Sequence, residues 1–204
     1  MASSSKKRIQ ALHHLLGARV HLGHRASRWH PQMAPYLYGR REGIHLLDLK
    51  ESAFLWGKAL RGLSHLLREG GRLLVVGNRR ENALLVEALG QRYPHQVSFV
   101  TSQWRGGTLT NRQFFRPASG SSYFRGLSHH PSLPDLILIL NLSANQDLLR
   151  EAEALHLPTW GVVDSNLSPG SLTFPCVGND DQVASHWTYL SALAYVLGKE
   201  ETSA

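Results

Sequence analysis

The densest run of chemistry-bearing residues is Gln103-Trp104-Arg105-Gly106-Gly107-Thr108-Leu109-Thr110-Asn111-Arg112. Two adjacent glycines let backbone approach a ligand closely, while Trp104 and Arg105 can stack on a base or clamp a phosphate. Beyond it, Phe114, Phe115, Tyr123 and Phe124 interleave with Arg112, Arg116 and Arg125, and no carboxylate intervenes before Asp135. Aromatics mixed with arginines on an acid-free segment suit single-stranded or irregular RNA. They suit a protein interface nearly as well. A second basic point is Gly77-Asn78-Arg79-Arg80, where a strand would hand over to a helix and free amides favour phosphate. Its plain reading is a capped helix with two solvated arginines.

Carboxylates and imidazoles form the other set. Asp164 closes an apolar strand and Asp180-Asp181 follow Gly178-Asn179. Strand ends and helix starts converge on one edge of a doubly wound sheet, so the three can gather there. Gathered carboxylates repel unless a cation neutralises them, and a hard Mg²⁺ prefers oxygen ligands. The competing reading is that Asp180 and Asp181 only complement a helix dipole. Twelve histidines are many for 204 residues, and His21-x-x-His24 could be half a zinc site. No cysteine completes it, which favours hydrogen-bonded or RNA-facing imidazoles.

Charge narrows the class. The first 41 residues hold eight Lys or Arg, including Arg25, Arg28, Arg40 and Arg41, and no acid. Residues 1–133 carry 20 basic and 6 acidic side chains, a balance of +14, whereas 134–204 carry 2 and 9, a balance of −7. Such polarity points to a polyanionic partner, with RNA first. A single cysteine, Cys176, rules out an internal disulfide. No apolar run approaches the roughly 18 residues that span a bilayer, so no membrane partner is expected. The acid-free residues 1–14 read as a basic extension, either disordered or the remnant of organellar targeting.

The elements that must position these residues alternate between helix and strand. Trp56, Ala59, Leu60, Leu63, Leu66 and Leu67 recur at helical spacing and stop at Gly70-Gly71. Leu73 to Gly77 reads as a buried strand, with Asn78 and Glu81 placed to cap the next helix. Strands follow at Val97–Val100, Leu136–Leu140 and Thr159–Asp164, with a helix around Leu148, Leu149, Ala152 and Leu155. A last helix from about Asp180 is expected to bury Val183, Trp187, Leu190, Ala194 and Leu197. The pattern predicts a doubly wound α/β fold with a parallel sheet flanked by helices. A nucleotide-binding enzyme is the alternative such a sheet invites. Against it, the Gly-x-Gly-x-x-Gly and Gly-x-x-x-x-Gly-Lys fingerprints and the Gly-x-Ser-x-Gly elbow are absent.

At this resolution of motifs the chain resembles a known family, the universal small-subunit ribosomal protein S two. The residues that carry the resemblance are Val20-His21-Leu22-Gly23-His24, Trp29-His30-Pro31-Gln32-Met33 and Tyr38-Gly39-Arg40. Gly43 to Leu49, Gly71 to Arg80 and Trp104 to Asn111 continue it, followed by Pro134 to Pro158 with Glu151. Gly161 to Asn166 and Pro175 to Asp181 complete it. The resemblance implies one Rossmann- or flavodoxin-like domain over 15–198 with a tail at 199–204. It implies binding to small-subunit ribosomal RNA and neighbouring ribosomal proteins, no catalysis and no homo-oligomer. From it, Arg25, Arg28, Arg40, Arg41, Arg79, Arg80, Trp104, Arg105, Arg112 and Arg116 are candidate RNA contacts. No cofactor is required, but a structural Mg²⁺ or Zn²⁺ is implied near His30, Asp164, Asp180 and Asp181, His30 standing where the family usually has Asn. Bacterial members carry a long helical hairpin between the two signatures, and here only the 22 residues Arg112 to Leu133 lie there. The shortened interval resembles mitochondrial members, with a reduced bacterial version, in the bacterial cytoplasm, as the alternative.

Overall fold

The computed structural model describes residues 2–111, 126–127 and 132–202. Eight strands and five α-helices lie among them, in two sheets. The larger sheet is parallel throughout and joins β4 (Leu73–Val76), β5 (Val97–Val100), β6 (Leu136–Ile139), β7 (Thr159–Val163) and β8 (Phe174–Val177) in the order β5-β4-β6-β7-β8. The order reverses between β4 and β6, so this is the flavodoxin-like doubly wound fold.

Every residue of β4, β5, β6 and β7 is buried, because helices or loops cover both faces. Alternation sorts their side chains. Leu73, Val75, Leu136, Leu138 and Val162 join a core with α2 (Leu49–Arg68), α3 (Arg80–Arg92) and α5 (Val183–Glu201). Leu74, Val76, Ile137, Ile139 and Val163 face the other way, against α4 (Gln146–Ala154), Met33, Leu47, Trp104 and Leu109. A one-residue slip would exchange these two sets, so the register is strongly specified.

Local sequence explains most boundaries. Asp48 caps α2 by accepting from the Lys50 N–H at 2.7 Å. The helix ends as expected at Gly70-Gly71, whose N–H groups return to the Leu67 and Leu66 carbonyls. Three expectations fail. The cap of α3 is Arg79, without a side-chain bond, and the Asn78 amide donates instead to Asn145 Oδ1 at 3.2 Å. The last helix begins at Val183, and Val183 and Trp187 stay exposed while His186, Tyr189, Leu190, Leu193 and Leu197 are buried. The extension is not bare chain either, since α1 spans Ala2–Gly17 and packs on α2.

The smaller sheet is antiparallel, in the order β1-β3-β2, with β1 Leu22–Arg25, β2 Leu37–Arg41 and β3 Ile44–Leu47. Glu42 and Gly43 connect β2 to β3 with φ of 51° and 78°. Two left-handed residues in a two-residue loop give the turn whose twist matches a hairpin.

Candidate RNA surface and carboxylate cluster

The small sheet is held against the large one by backbone groups. Asn179 N–H donates to the Val20 carbonyl at 3.1 Å and its side-chain amide donates to the Leu22 carbonyl. His24 N–H donates to Ser165 Oγ and His30 N–H to the Ser165 carbonyl, both at 2.8 Å. Gly23 permits this approach, because a Cβ there would stand 2.7 Å from Ser165 Oγ. So docked, the sheet leaves Arg25, Arg28, Arg40 and Arg41 exposed. Glu42 is the one carboxylate before Asp48, and its contact with Arg41 is a solvent-exposed 3.8 Å pair worth little.

Beneath this sheet lie the predicted carboxylates. Asp164 and Asp180 are buried at 0% and 2% exposure, and Asp164 Oδ2 and Asp180 Oδ1 have no hydrogen-bond partner. His24, on β1, enters between them, its Nδ1 3.1 Å from Asp164 Oδ2 and its Nε2 3.3 Å from Asp181 Oδ2. Ligand atoms of His24, Asp164 and Asp180 all fall within 4.8 Å of one another. Burial, then repulsion from Asp164 and Asp181, pushes the Asp180 carboxyl up to about 7, against the pull of Arg79 and His24. The Asp164 carboxylate against its ring raises the His24 pKa, more than burial lowers it.

The histidine of the site is therefore His24 and not His30. The His30 Nδ1 accepts from Gln32 N–H at 3.3 Å and caps the 3-10 turn Pro31–Tyr36, a position its place just before a proline dictates. Asp181 also stands outside the set of three. Half-exposed, it bridges His24 and Arg79, whose Nη2 lies 2.6 Å from its Oδ1. Arg79 is thereby turned toward the cluster, while its neighbour Arg80 is exposed on the first turn of α3.

The Trp104 segment is a different object from the one its residue types suggest. Trp104 is 7% exposed and its indole N–H donates to Glu151 Oε1 at 2.9 Å. The same carboxylate accepts from the Gly107, Leu109 and Thr110 N–H groups at 2.8, 2.8 and 3.2 Å. Burial raises the Glu151 pKa, but the bonds from Trp104, Leu109, Thr110 and Gly107 outweigh it and the net shift is downward. Trp104 is thus withdrawn from the RNA candidates: both ring faces are spent in the core, and what the loop presents outward is Arg105. Arg112 and Arg116, with the aromatics after them, lie outside the described residues. Sequence reasoning missed Glu151 as an organiser and His24 as the histidine of the cluster. The available signals were a lone carboxylate on the apolar stripe of α4 and the His21-x-x-His24 spacing.

At the switch point of the sheet, where cofactors of this fold class bind, Asn78 and Asn145 join their side-chain amides reciprocally at 3.2 and 3.4 Å. The pair fills the mouth between β4 and β6, in line with the missing nucleotide fingerprints. Fold and site together define a doubly wound domain whose crevice is closed and whose added sheet carries exposed arginines. The pattern of the Ribosomal protein S2 family matches residues 15–119 and 118–198. The chain belongs to that family, whose members are structural ribosomal proteins and not enzymes. It is similar to "Small ribosomal subunit protein uS2" of Beijerinckia indica, 32% identical over 198 aligned positions covering 82% of this chain and 58% of that one. For the same-named protein of Mesorhizobium japonicum the identity is 30%, covering 90% of this chain and 82% of the other. "Small ribosomal subunit protein uS2c" of Cyanidioschyzon merolae is 32% identical, covering 91% and 96%. The chain thus spans nearly all of one relative and less than two thirds of another.

Proposed function

We propose that the chain is a structural constituent of the small subunit of a mitochondrial ribosome, binding its RNA and neighbouring ribosomal proteins. The observation that carries this reading is the docked small sheet, with four exposed arginines and one carboxylate among its first 47 residues. Such a surface neutralises phosphates and orients the domain on RNA without reading sequence. The organelle is supported by the short Arg112–Leu133 interval and by α1, a helix with Ser, Lys and Arg but no acid in it. Tagged protein should co-sediment with mitochondrial small subunits at moderate salt. Its absence from those fractions would overturn the reading, and its presence on bacterial subunits would support the bacterial cytoplasm instead.

A structural cation fits the carboxylate cluster. His24, Asp164 and Asp180 would hold it, and it would neutralise two buried carboxylates whose orphaned oxygens otherwise face each other's charge. An imidazole among the ligands favours Zn²⁺ over the all-oxygen preference of Mg²⁺. Zn²⁺ at about a hundred times its dissociation constant should stabilise the fold by roughly 2.7 kcal/mol. Asp180→Asn should abolish that gain, and an equal gain in the variant would remove the site.

A further inference from the structure

We infer that Trp29, His45 and Arg40 form a platform on which an unpaired RNA base stacks, an inference that rests on the RNA-binding reading above. Trp29 is 41% exposed and belongs to neither hydrophobic core, although an indole of its size is normally buried. Its backbone is fixed on both sides. It closes the 3-10 turn Ala26–Arg28 in an extended conformation, and the next N–H, of His30, is bonded to the Ser165 carbonyl. The indole lies 5.6 Å from the His45 ring, tilted 41°, so one face is supported by protein.

The pairing of β2 with β3 extends the platform. Arg40 is the register partner of His45, and directly opposed residues of an antiparallel pair share a face. Indole, imidazole and guanidinium therefore stand in a row across the small sheet. All three groups are planar, and every base offers a π-face to such a surface. Arg28 precedes the row in sequence and Arg41 follows Arg40, both exposed. An apolar anchor for a protein would be ringed by apolar neighbours. Here the five charged side chains from Arg19 to Arg41 are all arginines, so a polyanion is the occupant favoured. Double-stranded RNA hides its base faces, which commits the platform to a splayed or single-stranded nucleotide.

Two measurements test this on the full chain, with a fluorescein-labelled 15-residue oligoadenylate and an RNA duplex of the same length as probes. Trp29→Ala should weaken binding of oligoadenylate roughly tenfold while leaving the slope of log K against log salt unchanged, because stacking releases no counterions. Trp29→Phe should recover most of the loss, and duplex affinity should not move in either variant. Arg40→Gln should instead reduce the slope by about 0.7. For a direct readout, Trp187→Phe leaves Trp29 as the exposed indole, since Trp56, Trp104 and Trp160 are 6%, 7% and 0% exposed. Oligoadenylate should quench its emission. Unchanged affinity in Trp29→Ala, or no quenching in Trp187→Phe on saturation, overturns the platform while the RNA reading stands. A wild-type protein that binds neither probe at low salt overturns the RNA reading and the platform with it.

Discussion

Trp29 and Trp104 each stand beside an arginine in a glycine-containing, basic stretch of chain, yet the fold puts them to opposite uses. The difference is made by a carboxylate. Glu151 reaches from α4 into the Trp104–Asn111 loop and gathers four N–H groups, so indole and glycine amides turn inward. Trp29 meets no such acceptor, and its indole rests on His45 at the surface. Residue types that could recognise a ligand are equally able to satisfy one buried anion. Which role they take depends on whether an unpaired acceptor lies within reach.

The strongest way to break this contrast is to remove the acceptor. Glu151→Ala leaves the Trp104 indole and three backbone N–H groups buried or half-buried without a partner. Because such bonds to a charged group are worth more than neutral ones, a loss of about 3 kcal/mol in chemical denaturation is expected. A loss below about 1 kcal/mol would mean that water replaces the carboxylate and the loop was never organised by it.

The same group predicts an acid limb. Its folded pKa lies below the ordinary glutamate value of 4.5. A depressed carboxylate contributes stability that is fully present above the unfolded value and is lost as pH falls through the folded one. Wild-type stability should therefore decline from about pH 5 toward pH 3 more steeply than that of Glu151→Gln. Parallel urea midpoints for the two proteins across that range would remove Glu151 as the cause.

Much of the architecture was readable because burial on two sides leaves continuous apolar runs. Leu73–Val76, Leu136–Ile139 and Thr159–Val163 were legible on that ground alone. The phase of α5 was not. Apolar residues occupy every side of Val183–Glu201, so Val183 and Trp187 fit a helical stripe as well as Tyr189 and Leu193 do. The carboxylates of the cluster could be found from their place at strand ends, whereas His24 could not. Its partners Asp164 and Asp181 come from the far part of the chain, and spacing within the amino-terminal segment carries no record of that meeting. Glu151 was hidden for the same reason, since it is one carboxylate on a helix until the loop folds over it.

A smaller effect separates the two tryptophans directly. Trp104→Phe keeps an aromatic ring in the core but removes one donor to Glu151 and part of the buried volume. About 1.5 kcal/mol of stability should be lost, with RNA affinity unchanged when measured on folded protein. Trp29→Phe should show neither loss. If Trp104→Phe weakens RNA binding at equal foldedness, the inward assignment of that loop fails.

The smallest expected effect on stability belongs to the arginines of the small sheet. Arg25, Arg28, Arg40 and Arg41 are exposed, and of these only Arg41 lies near an acid, at 3.8 Å from Glu42 among the described residues. Replacing Arg25 and Arg28 by glutamine should shift stability by no more than about 0.5 kcal/mol. Retention on ribosomal RNA should nevertheless fall more steeply as salt rises from a low value, because each lost phosphate contact removes its share of counterion release. The prediction is sharp because the two readouts move apart. A side chain that leaves folding untouched and changes only the salt dependence of RNA retention is a contact, whereas Glu151 should do the reverse. A double variant that unfolds with Glu151→Ala-like losses would show that the small sheet needs its arginines for packing, and the distinction between the two regions would collapse.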